Sequence, residues 1–258
     1  MSALPSSLRP LAVASVVIGV FAGTAMAECR QALAMGLDVS GSVDAREYRL
    51  QMDGLAAALN SPKVRQALTI MPAAPVDLLV YEWSGPEDQA VILPWTTVVD
   101  EATLDGIIAH LKATERRQAT PGTALGLAMR EGVSHLATRA HCWKRTLDLS
   151  GDGKSNLGPR PVDVKPEIEG TGITINALVV GADAPSFGDV RQAEIGALGR
   201  YFQANVIVGS GSFVEFALGF EDYAKAMARK LERELETLMF SRNAPRLRKI
   251  RSLNNPDQ

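Results

Sequence analysis

Leu37-Asp38-Val39-Ser40-Gly41-Ser42 puts one carboxylate and two hydroxyls on a single short stretch. The apolar run from Ala32 to Leu37 before it reads as a buried strand, and an amphipathic helix begins after it, near Asp44. Asp-x-Ser-x-Ser on a tight strand-to-helix loop supplies hard oxygen donors, the kind Mg²⁺ prefers. The same residues could simply cap the following helix. Two later stretches favour the metal reading: Gly122-Thr123-Ala124-Leu125-Gly126, and Ser150-Gly151-Asp152-Gly153.

The elements that must position these loops can be read in chain order. Asp44 with Glu47 three residues on fits a capping box, and Tyr48, Met52, Leu55 and Leu59 share one helical face. Asn60-Ser61-Pro62 ends that helix. Val76 to Trp83 is a strand, and the turn Ser84 to Asp88 leads into a third strand, Ala90 to Trp95. So short a connection implies an antiparallel edge pair. Leu104, Ile107, Ile108 and Leu111 mark a helix, and Ala124 to Thr138 another. Further strands are expected at Trp143 to Leu149, Ile173 to Val180 and Asn205 to Val208. A short helix ends near Gly170, and a further one covers Val190 to Leu198. The longest helix is expected within Phe213 to Phe240, broken or bent near Gly219, and its later part, Asp222 to Phe240, has Lys225, Arg229, Lys230, Glu232, Arg233, Glu234 and Glu236 on a solvated face.

This alternation predicts an α/β fold. It is a single, doubly wound, mostly parallel six-stranded sheet with one antiparallel edge strand and helices on both faces. In such sheets ligands bind beyond the carboxyl ends of the strands, at the switch point in strand order. All three oxygen-rich loops are expected there.

The 258 residues carry a net charge of −2, with 46% hydrophobic and 22% charged residues, so nothing advertises nucleic acid or an anionic membrane. Residues 1–27 read as a secretory signal: Arg9, an apolar run from Leu11 to Ala22, and Ala25-Met26-Ala27 before a cut at Ala27-Glu28. The run is short of the ~20 residues of a spanning helix. The expected organisation is therefore a signal peptide over 1–27, one domain over 28–241 and a basic, disordered tail over 242–258. The product is periplasmic or secreted, with no transmembrane anchor in the mature chain. The two cysteines, Cys29 and Cys142, fall nine and ten residues before Asp38 and Asp152. If those aspartates end neighbouring parallel strands, the cysteines begin them, and a disulfide is reasonable in an oxidising compartment. Two free buried thiols are the alternative; a metal site on the pair is disfavoured, since no other cysteine joins them and His141 is the only histidine close by.

Enzyme signatures are weak. A phosphotransferase with Asp38 as nucleophile would want a second acid two residues on as proton shuttle, and Ser40 stands there. Lys154 is the one lysine near the loops that could grip phosphate. His110 and His135 fall on helices and His141 just before a strand. Gly209-Ser210-Gly211 lacks a Gly-Lys-Ser/Thr ending and reads as a turn. The chain is read as a non-enzyme, with a metal-dependent phosphate-ester hydrolase or a metal-free scaffold as alternatives.

Taken together, Asp38-Val39-Ser40-Gly41-Ser42, Gly122-Thr123-Ala124-Leu125-Gly126 and Ser150-Gly151-Asp152-Gly153 resemble the von Willebrand factor type A domain and its metal-ion-dependent adhesion site. The resemblance runs from about Arg30 to Phe240. Glu82-Trp83-Ser84-Gly85, Pro94-Trp95 and Gly172-Ile173-Thr174-Ile175-Asn176 add a closer resemblance to a bacterial family of exported type A-like proteins of unknown function.

The resemblance implies that Ser40 and Ser42 ligate a metal directly and that Thr123 does so directly or through water. Asp38 and Asp152 would hold coordinated waters. The implied ion is Mg²⁺, with Mn²⁺ or Ca²⁺ as alternatives. The implied partner is a protein that offers an Asp or Glu to the open metal position. Gly151 departs from the family's usual Thr before Asp-Gly. Thr120 is a neighbouring rival of Thr123. Asp148 rivals Asp152, but two residues inside the strand it should be buried or paired.

Overall fold

A computed structural model describes residues 28–181 and 190–241. The expected signal peptide and basic tail lie outside the described residues. The six strands are β1 (Gln31–Asp38), β2 (Val76–Trp83), β3 (Gln89–Val98), β4 (Lys144–Gly151), β5 (Ile173–Val180) and β6 (Val214–Ala217). They form one sheet in the order β3-β2-β1-β4-β5-β6. Every pairing is parallel except β2 with β3, which is the short-turn edge pair expected from the sequence.

Seven α-helices accompany the sheet among the described residues: α1 (Ala45–Leu59), α2 (Pro62–Thr69), α3 (Glu101–Ala113), α4 (Leu125–Ala137), α5 (Pro161–Ile168), α6 (Val190–Asn205) and α7 (Tyr223–Ser241). The central strands carry apolar side chains on both faces. Leu33, Met35 and Leu37 of β1 join one core with α1, α2, α3 and α7. Ala32 and Ala34 join the other, with α4, α5 and α6. A parallel strand buried on both sides must read as a continuous apolar run, and β1 does. The chain turns from one half of the sheet to the other between β1 and β4, so the loops after those two strands flank the switch point.

Asp44 caps α1 through the backbone N–H groups of Arg46 and Glu47, and the Glu47 carboxylate returns a bond to the Asp44 N–H. This is the capping box the sequence predicts, so Asp44, not Asp38, is the helix cap.

Four expectations need correction. Pro62 does not merely stop α1: it opens α2, whose Val64, Ala67 and Leu68 are buried. Asn205 to Val208 is not a strand; it makes one isolated bridge, Val208 to Ile175, and Asn205 closes α6. The sixth strand is Val214–Ala217, where the sequence reading placed helix. Phe213, Phe216 and Phe220 are spaced three and four apart and mimic the period of the helix that follows, whereas a four-residue edge strand has too little alternation to announce itself. Finally, Lys230 and Glu234 are not solvated. Both are buried on α7, against Asp148 of β4.

Candidate metal centre

Asp38 ends β1 and is 1% exposed. Its carbonyl accepts from Gln51 Nε2 at 3.0 Å, and its Oδ1 accepts from the Ser40 N–H at 2.9 Å. These bonds fix the turn that carries Ser40 and Ser42. Ser40 Oγ lies 3.1 Å from Ser42 Oγ, and Ser42 Oγ donates to Asp152 Oδ1 at 2.7 Å. Asp38, Ser40, Ser42 and Asp152 therefore form one continuous polar chain across the switch point. Ser40 is buried, Asp152 half-buried and Ser42 exposed.

Thr123 comes from the loop before α4. Its N–H donates to Asn156 Oδ1 at 2.8 Å, and its carbonyl accepts from the Asn156 N–H at 3.0 Å. Ser84 Oγ donates to the Gly122 carbonyl at 3.0 Å, and the Ala124 N–H donates to the Ser84 carbonyl at 2.7 Å. The loop is thus sewn to the end of β2 on one side and to the loop after β4 on the other. It also presses on the Asp38 loop: a Cβ on Gly41 would fall 2.6 Å from Pro121 Cβ, so glycine is required for that approach. Thr120 is not interchangeable with Thr123, because its N–H and hydroxyl both donate to Asp88.

The electrostatics of this cluster are unusual. Asp38 Oδ2 is buried with no hydrogen-bond partner. Burial, followed by the neighbouring Asp152 charge, pushes the Asp38 carboxyl up to about 8, although bonds from Ser40 oppose the shift. Burial also raises Asp152, with Ser42 pulling the other way. No ion pair joins either acid among the described residues. Two carboxylates held against each other without a cation, and with hydroxyls between them, are a donor set that a hard divalent ion would complete. The residues present therefore fit the ion that the sequence implies.

Gly151, which stands where Thr was expected, packs tightly. A Cβ there would meet Phe202 at 3.2 Å and Asp38 Oδ2 at 3.4 Å. Asp148 is buried and paired with Lys230, as its place inside β4 suggested, so Asp152 is the acid that reaches the site. Lys154 lies 5.9 Å over the Tyr201 ring. Gly209 and Gly211 take positive φ in a turn.

Sequence reasoning missed the clamp that holds the Thr123 loop. Glu82 is fully buried and accepts from Tyr48 OH at 2.6 Å and from Arg117 Nε at 3.2 Å. With Ser84 it turns Glu82-Trp83-Ser84-Gly85 into a bracket for residues 117–124. A carboxylate one residue from the end of a mostly apolar, buried strand was the available signal.

At the opposite pole, Cys29 and Cys142 form the expected disulfide and join the chain just before β1 to the chain just before β4. One group of metal-capable side chains converges there: Cys29, Asp77, His141 and Cys142. With both sulfurs in the disulfide, that group lacks its thiolates.

The chain matches the family described as protein of unknown function (DUF1194) over residues 28–239. None of the curated proteins compared matches the sequence. Among solved structures, proximal thread matrix protein 1 from the mussel byssus, with a zinc-occupied MIDAS motif, is similar with a TM-score of 0.56 and 14% identity. The match covers 81% of this chain and 46% of that one. The pilus adhesin SpaC from Lactobacillus rhamnosus GG has a TM-score of 0.53 at 12% identity, covering 82% of this chain and 31% of that chain. A von Willebrand factor type A protein from Catenulispora acidiphila has a TM-score of 0.53 at 16% identity, covering 82% and 43%. This chain thus spans half or less of each of these proteins, and the shared feature is the von Willebrand type A-like fold.

Proposed function

The chain belongs to the DUF1194 family, and from that premise we propose that it is an exported, metal-dependent binding domain of the adhesion type. In this reading Ser40, Ser42 and Thr123 offer hydroxyl ligands to Mg²⁺, with Mn²⁺ or Ca²⁺ as substitutes. Asp38 and Asp152 hold coordinated waters. Neutral ligands leave the ion most of its charge, so it attracts an Asp or Glu from a protein partner into its open position. The observation that carries the proposal is the chain Asp38–Ser40–Ser42–Asp152 with the unpartnered Asp38 Oδ2 at its buried end. The Cys29–Cys142 disulfide supports an oxidising, extracytoplasmic location, and no helix among the described residues is long and apolar enough to cross a membrane.

The test is calorimetric titration of Mg²⁺ and Mn²⁺ into the metal-stripped protein, alone and with an acidic peptide, beside Asp38→Ala and Ser40→Ala. Saturable one-site binding that both variants lose is the expected result. Equal affinity in wild type and variants overturns the assignment. Turnover of a generic phosphate ester that Asp38→Asn abolishes would favour a hydrolase instead.

A further inference from the structure

The amino pole of the sheet holds a second set of donors, of the opposite chemical character. Cys29 and Cys142 sit immediately before β1 and β4, and Asp77 is the second residue of β2. These three strands are adjacent, so the sheet itself fixes the spacing. His141 precedes Cys142 and reaches back, with its Nε2 3.9 Å from Cys142 Sγ. One ligand atom from each of the four side chains lies within 4.8 Å of all the others. Asp77 is oriented from both sides: Thr97 Oγ1 donates to its Oδ1 at 2.7 Å, and Arg139 Nε lies 3.2 Å from its Oδ2. Arg139 is itself held over the Trp95 ring, 5.0 Å from its centroid.

We propose that the dithiol form of this pole binds Zn²⁺ through Cys29, Cys142, His141 and Asp77, so that disulfide and zinc are alternative closures of the same site. A dithiol reductant would give two electrons and two protons to the Cys29–Cys142 bond and become a disulfide itself. Zn²⁺ would then displace both thiol protons. Two sulfurs, one imidazole nitrogen and one carboxylate oxygen form a tetrahedral donor set that suits zinc, not the hard ions of the carboxyl edge. With Zn–S near 2.3 Å, two ligating sulfurs stand about 3.8 Å apart. The released sulfurs therefore spread while the widest donor pairs close by roughly 1 Å, which side-chain rotation can supply. Charge also balances: two thiolates and one carboxylate exceed Zn²⁺ by one negative charge, and Arg139 stands against Asp77 to neutralise it. The zinc form would also tie in β2, which the disulfide leaves outside.

The experiment uses Co²⁺ as a spectroscopic stand-in, in Asp38→Ala protein so that the carboxyl-edge site cannot contribute. The reduced, metal-stripped chain should bind one Co²⁺ with thiolate-to-cobalt charge-transfer absorption, which Zn²⁺ displaces. The disulfide form should show none of this. Asp77→Asn and His141→Ala should each weaken binding roughly 10-fold or more. Zn²⁺ should raise the melting temperature of the reduced chain. Absence of the thiolate band overturns the proposal. So does unchanged affinity in both variants, or a reduced chain that unfolds and that Zn²⁺ does not restore.

Discussion

Asp38 and Asp148 sit on neighbouring central strands, and each is 1% exposed. They have met the cost of burial in opposite ways. Asp148 faces Lys230, and Glu234 accepts from the same ammonium at 2.7 Å and from Asn176 Nδ2 at 2.6 Å. Burial would lower the Lys230 ammonium, but the two carboxylates outweigh it and hold the charge in place. Asp38 faces Asp152, with serine hydroxyls between. The first cluster carries its own cation and welds α7 to β4. The second lacks one and opens toward solvent through Ser42. A buried carboxylate supplied with its counter-ion by the fold is held as structure; one left without it carries an uncompensated burial cost that a cation from outside would relieve.

The comparison can be broken at either end. The largest expected effect is Lys230→Met, which strands two buried carboxylates and should cost about 3–5 kcal/mol in denaturant unfolding. Added Mg²⁺ should not recover that loss; if it does, the two clusters are not separate.

Titration sharpens the contrast. Asp38 rises to about 8 and Asp148 to about 7 in the folded chain, mainly through burial. Both take up protons more readily folded than unfolded. Their stabilising contribution is complete below the ordinary carboxylate range and is lost as pH climbs through those values. Metal-stripped protein should therefore melt at a falling temperature from about pH 5 to about pH 9. Carboxyls held low, such as Asp88 bonded by Thr120, act below that range. Mg²⁺ should raise the melting temperature more at the alkaline end, where it no longer competes with the Asp38 proton. A shift that does not depend on pH would remove Asp38 from the site.

Asp38→Asn isolates one side of the comparison. Without the repelling charge, the metal-free protein should gain on the order of 1–3 kcal/mol at alkaline pH and lose all stabilisation by Mg²⁺. Gly41→Ala tests the contact between the two loops. Its Cβ meets Pro121, so about 1–3 kcal/mol of overpacking and weaker Mg²⁺ binding in calorimetry are expected. Ser84→Ala should do least, about 1–2 kcal/mol, by releasing the Gly122 carbonyl.

The sheet and the placing of three loops at its carboxyl edge were legible because β1 is an unbroken apolar run from Ala32 to Leu37, β2 and β5 are mostly apolar, and Asp44 with Glu47 marks a helix start. The convergence of Asp38, Ser40, Ser42 and Asp152 was legible because local spacing and strand ends place these residues together. What stayed hidden depended on distant partners. Lys230 and Glu234 are four apart on a helix, which locally describes a solvated ion pair; only Asp148, far away in sequence, makes burial affordable. Glu82 looked like part of a strand until Tyr48 and Arg117 met it. β6 takes its pairing from β5 and carries little signal of its own.

The disulfide closes a ring across 113 positions of sequence. The ring contains the Asp38 and Thr123 loops but not Asp152. A protease that nicks the exposed stretch around Arg116 and Arg117 would therefore not release a fragment. The nicked protein would migrate as one covalent molecule until its thiols were freed, and only then fall into two pieces.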